Sequence, residues 1–204
     1  MAQSVYGCRD TSEATRIEII NLPPPPFFDV DTLQGCAPFE GLFTVDPDTY
    51  KSDHNYLTFH WDYGDGTKTD TLMPIVPKPY PAGSWDTTFV ARMTVSNVCD
   101  TVSYDTTITV FSAPKVSFAL MHEWECSPVF LELQNTTTGN NCVFNWTFTN
   151  SRTGEVAGET DIRNPEHEFT TDEAATSYFI TLRAENRCDV DEYTDTLLVK
   201  PRQI

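Results

Sequence analysis

The chain has 204 residues, 39% of them hydrophobic, and carries 30 acidic against 13 basic side chains for a formal charge of -17. That is apolar content enough for one large or two ordinary domains, and too much for a disordered tail. So acidic a surface repels a phosphate backbone, which speaks against nucleic-acid binding. No stretch reaches the ~18 apolar residues of a membrane helix, and MAQSVYGCRD has neither the basic start nor the apolar run of a signal peptide, so no membrane insertion is expected.

Taken in chain order, the first passage is VYGCRDTSEATRIEIINLP, which ends at Pro23. It reads as the closing hairpin of a module whose body lies outside the chain. Pro23 to Pro26 follow, and their fixed φ and missing N–H donors make a short stiff spacer. Beyond them, LTFHWDYGDG, TFVARMTVS, TTITVF, YFITLRAEN and DTLLVK alternate with the period of half-buried strands. The 29 threonines suit strands whose outer face stays polar, and Gly and Pro fall mostly between the runs. Helical periodicity is nearly absent, so the expected fold class is all-β.

The cysteines expose a repeat. VYGCRD, SNVCD and ENRCD each open a passage that ends in a proline, and Cys36 in QGCAPFE matches Cys126 in WECSPVF. Trp61 and Trp146 align within the repeat, as do Tyr80 and Phe169, and these four are the expected core aromatics. A period of about 90 residues divides the chain into a partial module at residues 1–22, the spacer at 23–26, and full modules at 27–113 and 114–204. Each full module is expected to be a seven-stranded, two-sheet sandwich.

Cys36 and Cys99 stand at nearly the same separation as Cys126 and Cys188, so the matched spacing pairs them within each module. Cys8 is left without a partner, and Cys142, at the place of Leu57, reads as a core residue. A Cys8–Cys142 bridge would have to cross a module.

At Trp61, Asp62, Tyr63, Gly64, Asp65 and Gly66 the sequence resembles tandem PKD domains, immunoglobulin-like modules that carry an aromatic strand ending in W-D-F-G-D-G. A proline and aromatic segment follows at Lys78 to Tyr80, then MTVSNVCD with Asn97. The second module keeps Trp146, Phe148, Asn164, Pro165, His167, Phe169 and Asn186 but replaces DYGDGT with TFTNSRTG. The resemblance covers about residues 27 to 201 and implies tandem immunoglobulin-like, PKD-type β-sandwiches.

The Gly-Asp-Gly stretch is explained by turn formation, with the glycines taking left-handed conformations and Asp65 accepting local N–H bonds. A calcium site at Asp62 and Asp65 is the sharper alternative, and no other cofactor is called for. Asp46-Pro47-Asp48 reads as an acidic turn.

Catalytic signals are absent. His54, His60, His122 and His167 form no zinc or nucleophile pattern, and there is no nucleophile elbow or phosphate loop. Glu123/Glu125 and Asp189/Asp191 read as solvated charges. The glycosylation triplets at Asn135 and Asn145 depend on a host that the sequence does not name.

The expected role is a non-catalytic structural or adhesive segment at a cell surface or outside the cell, with neighbouring repeats as first partners. The resemblance adds large secreted or surface proteins of gliding and polymer-degrading bacteria. One alternative is an accessory carbohydrate-binding module that stacks Trp85, Trp124, Tyr50 or Tyr104 on surface glycans or polysaccharide. Another is a filament assembled with other surface proteins through strand edges.

Overall fold

The computed structural model describes residues 2–3, 5–7, 9–10, 16–47, 49, 56–70, 75–120, 124–172 and 174–202. Cys8, Asp48, Tyr50, His54, His122 and Glu123 lie outside the described residues. The chain opens with a small antiparallel hairpin, β1 (Ala2–Gln3) and β2 (Arg9–Asp10).

The first sandwich comprises β3 (Phe28–Val30), β4 (Gln34–Cys36), β5 (Phe39–Val45), β6 (Thr58–Asp62), β7 (Lys68–Thr69), β8 (Ile75–Tyr80), β9 (Thr87–Ser96) and β10 (Thr101–Phe111). One sheet has the order β3-β5-β8 and the facing sheet the order β4-β10-β9-β6-β7. The second sandwich comprises β11 (Trp124–Cys126), β12 (Val129–Glu132), β13 (Val143–Asn150), β14 (Val156–Thr160), β15 (Glu166–Phe169), β16 (Thr176–Glu185) and β17 (Val190–Lys200). Its sheets run β12-β15 and β11-β17-β16-β13-β14. The larger sheet thus repeats strand for strand. Where β3 pairs with β5 in the first sandwich, the second has two bridges, Lys115 to Thr138 and Phe118 to Asn135.

Alternation in the sequence becomes alternation of faces. β5 turns Phe39, Gly41, Phe43 and Val45 inward, and β16 does the same with Thr176, Tyr178, Ile180, Leu182 and Ala184. The inward residues form two separate cores, one spanning Phe28 to Val110 and the other Val116 to Val199. Trp61 and Trp146 are fully buried at their centres. The Trp61 ring stacks on Tyr63 and meets Phe28 and Phe43 edge-on, while Trp146 meets Phe118 edge-on and runs parallel to Phe148. Tyr80 and Phe169, both buried, face Phe39 and Val129 across the small sheets.

The cysteine pairing differs from the expectation. Cys36 is bonded to Cys188 across the two sandwiches, and Cys99, Cys126 and Cys142 are free. Geometry rules out pairing within a sandwich. Cys36 lies beside Phe111 at the far end of β10, whereas Cys99 sits in the turn before Thr101 at its start. The 11 residues of β10 span ~33 Å, against the ~7 Å Cα separation that a disulfide tolerates. Cys126, beside Lys200, is equally far along β17 from Cys188. Matched spacing reports the period of a repeat, and any pair of once-per-module residues shows it whether or not the two are close.

Candidate functional site: the joint between the sandwiches

β4 is a short edge strand running parallel to the end of β10, with Gln34, Gly35 and Cys36 opposite Thr109, Val110 and Phe111. Ala37 N donates to Phe111 O at 2.9 Å, which fixes Cys36 at the end of the first sandwich that faces the second. From the other side comes the tight turn between β16 and β17. Its conformation is set by Asn186, whose Oδ1 accepts Cys188 N at 2.9 Å and Asp189 N at 3.3 Å, while Asn186 N donates to Asp189 O at 3.0 Å. This places Cys188 against Cys36.

Polar and cationic contacts surround the disulfide. Asn186 Nδ2 donates to Ser112 O at 2.8 Å and to Asn140 O at 3.1 Å, so one amide ties the turn to the linker and to a loop of its own sandwich. The Arg187 guanidinium lies 4.2 Å from the centre of the Phe111 ring. Asp86 Oδ1 accepts Ser112 N and Ser112 Oγ, and Asp86 N donates to Asn140 Oδ1 at 2.8 Å across the joint. Asp191 Oδ2 accepts Val116 N at 2.7 Å and holds the far end of the linker. Ser112 is buried. Gly139, at φ 109°, lets the loop approach Pro114 closely, because a Cβ there would meet Pro114 Cα at 3.0 Å. Cys142 lies beneath this loop, and burial pushes its thiol pKa up, away from the reactive thiolate.

In the Trp61–Gly66 motif both carboxylates are partnered, while Trp61 Nε1 and the Tyr63 hydroxyl are buried without a hydrogen-bond partner. Gly64 and Gly66 take φ of 79° and 88°. Asp62 Oδ1 accepts Gly64 N at 3.0 Å, and Asp65 Oδ1 accepts Thr67 N at 3.0 Å and the Thr67 hydroxyl. Each carboxylate also has its own cation. Lys68 reaches Asp62 Oδ2 at 2.7 Å, and Lys78 reaches Asp65 Oδ2 at 2.6 Å. The Lys78 ammonium lies over the rings of both Tyr63 and Tyr80, and the Tyr80 hydroxyl donates to Tyr63 O. Burial works against ionisation of Asp65, but Lys78 and the Thr67 donors outweigh it and hold the carboxyl below its ordinary range. Burial, with the Asp65 charge behind it, pushes the Tyr80 phenol far up. Among the described residues no group of three or more His, Cys, Asp or Glu is placed to hold a metal ion.

The second sandwich builds the same corner differently. His167 takes the place of Lys78, stacking on Phe148 at 4.1 Å and meeting Phe169 edge-on at 4.6 Å. Burial lowers its pKa, with Glu168 opposing. The longer turn is closed by Asn150, whose Oδ1 accepts Arg152 N and Thr153 N, and by Gly154 at φ 74°.

The other residues singled out by sequence are scattered. Trp85 is half exposed, and Trp124, equally exposed, has the Lys200 ammonium 4.0 Å from its ring centre. Tyr104 packs edge-on against Phe27 and Phe28. His60 pairs with Asp70 on the surface. Asn135 is buried and accepts Thr137 N, and Asp189 accepts Val190 N, so both serve local structure. The joint was missed by sequence reading, although the asparagine two residues before each turn cysteine was its visible signal.

No family model matches the sequence, and no curated protein resembles it closely enough to count as a relative. Solved structures do. The full ectodomain of mouse nectin-like molecule 4, three Ig domains, aligns at 11% identity over 88% of this chain and 65% of that one, with a TM-score of 0.51. The fibronectin(III)-like modules of Clostridium thermocellum CbhA align at 14% identity over 87% and 95% of the two chains, with a TM-score of 0.31. Three N-terminal domains of the outer capsid protein Hoc of bacteriophage RB49 align at 12% identity over 87% and 59%, with a TM-score of 0.33. At such identities the likeness is one of fold, and the nectin-like match carries it: a tandem of immunoglobulin-like β-sandwiches.

Proposed function

We propose that this chain is a non-catalytic, PKD-type structural segment of an extracellular or cell-surface protein, and that its work is to hold successive sandwiches in a fixed line. The observation that carries this is the joint itself. A covalent bond, a cation over a ring and the Asp86–Asn140 hydrogen bond all cross a linker of a few residues. A disulfide whose function is positional belongs in an oxidising compartment, which supports a place outside the cytosol. Stiff linear modules of this kind suit a surface protein that projects an adhesive region away from its anchor, as in a gliding or attachment adhesin.

Small-angle scattering tests this reading. The oxidised chain is expected to give one narrow, elongated distance distribution, and Cys36→Ser or Cys188→Ser a broader one. An oxidised chain as broad as its variants would overturn it. Glycan binding is the competing role, and Trp85 is the exposed aromatic that favours it; retention on a polysaccharide column that Trp85→Ala abolishes would establish it. For the Asp62 and Asp65 turn we propose that Lys68 and Lys78 serve where calcium would. Added calcium should then leave the melting transition unchanged, and a rise abolished by Asp65→Asn would assign a cation there.

A further inference from the structure

Both halves of the joint recur, each at the opposite end of the pair. In the turn between β9 and β10, Asn97 Oδ1 accepts Cys99 N at 2.8 Å and Asp100 N at 3.1 Å, and Asn97 N donates to Asp100 O at 3.0 Å. This is the Asn186 turn again, with Cys99 in the place of Cys188. One of its outward contacts recurs as well. Asn97 Nδ2 donates to Asn21 O at 2.7 Å, as Asn186 Nδ2 donates to Ser112 O at 2.8 Å. Asn21 therefore stands where Ser112 stands, and Ile20 stands where Phe111 does. The Cys99 thiol is 3.9 Å from Ile20 O. Asn21 thus meets the Asn97 turn as Ser112 of the linker meets the Asn186 turn.

At the other end, β11 repeats β4. Cys126 lies opposite Lys200 as Cys36 lies opposite Phe111, and Ser127 N donates to Lys200 O at 2.8 Å as Ala37 N donates to Phe111 O at 2.9 Å. Cys99 and Cys126 are both free and exposed.

We propose that Cys99 and Cys126 are half-cystines of further joints of the same design, each made with another sandwich of this kind in one continuous array. Cys99 bonds the edge-strand cysteine of the sandwich before it, carried on a strand that runs beside residue 20. Cys126 bonds the turn cysteine of the sandwich after it. One disulfide per joint then threads the array head to tail, and no sandwich contains a disulfide of its own. The inference rests on the reading of the chain as a stiff tandem and extends it to the neighbours. In each bond two thiols are oxidised to one disulfide, and their two electrons and two protons pass by exchange to a small-molecule or protein disulfide, which leaves as two thiols.

Module duplication tests this. A second copy of residues 23–113, inserted between Ala113 and Pro114, places a sandwich bearing Cys99 directly after one bearing Cys36 and reproduces the Leu22–Pro23 linker as Ala113–Pro23. Refolding in a glutathione redox buffer, thiol titration and non-reduced peptide mapping then read the bonds. The first copy's Cys36 is expected to bond the inserted copy's Cys99, and the inserted copy's Cys36 to bond Cys188, so the number of free thiols equals that of the original chain. Cys36→Ser in the first copy alone should free the inserted Cys99. Two additional free thiols, or a bond between Cys36 and Cys99 of one copy, would overturn the proposal. A Cys36–Cys188 bond persisting in the original chain beside either result would show that the stiff-tandem reading stands while its extension fails.

Discussion

The Asn186 side-chain nitrogen lies 2.8 Å from the Ser112 carbonyl oxygen, while its side-chain oxygen accepts the backbone N–H of Cys188 at 2.9 Å. One side chain therefore shapes the turn that presents the cysteine and docks that turn on the linker of the preceding sandwich. Asn186→Ala leaves the Ser112 carbonyl and two turn N–H groups without their partner, and a loss of about 1–3 kcal/mol is expected in urea denaturation. Asn186→Asp, which keeps the acceptor and loses the donor, should fall between the two. Equal stability for all three chains would remove Asn186 from the joint.

The disulfide adds a constraint of a different kind. Its sequence separation is 152 residues, for which the chain-entropy relation gives on the order of 5 kcal/mol. Cys36→Ser, Cys188→Ser and the double variant are expected to lose the same stability, since either change removes the whole bond. Calorimetry under non-reducing conditions checks this, and reductant should bring the parent chain to the same transition.

Gly64 and Gly66 share a turn but not a constraint. Both have positive φ, yet a Cβ on Gly64 would meet the Val90 carbonyl oxygen at 2.5 Å, whereas one on Gly66 meets nothing within 4 Å. Gly66→Ala should cost about 1 kcal/mol from backbone conformation alone. Gly64→Ala must also displace β9, and a cost of roughly 2–4 kcal/mol is expected in thermal denaturation.

Acid is expected to act on the two sandwiches at different pH. The folded pKa of Asp65 is below its ordinary value of about 4, so its contribution is complete above that value and is lost as pH falls through the lower folded one. His167 also has a lowered folded pKa, so the folded state resists its protonation. Stability then falls as pH drops below about 6.5, until the folded-state pKa is passed. Asp65→Asn should flatten the first phase and His167→Phe the second. Stability against pH, followed by the fluorescence of Trp61 and Trp146, checks both.

The sandwich architecture was legible because burial acts strand by strand: the alternation around Trp61, Met93 and Ile180 records which face meets the core, and no distant information is needed. The turn motif was legible for the same reason, since Asp62 and Asp65 bond groups two residues away. The ion pair of Asp65 with Lys78 was not, because it joins the turn after β6 to β8 in the other sheet. The cysteine pairing failed through a property of repeats. Residues 36 and 99 recur with one period, and a period cannot distinguish a partner in the same module from one in the next. What decides is the end of the sandwich at which each residue stands. That follows from β4 running parallel to β10, a pairing of distant segments that no local pattern encodes.

Cys36 and Cys188 lock the two sandwiches to each other, and non-reduced proteolysis with mass spectrometry of the oxidised chain reads that bond itself. One linked peptide pair containing Cys36 and Cys188, lost on reduction, is expected. Linked pairs joining Cys36 to Cys99 and Cys126 to Cys188 would contradict it.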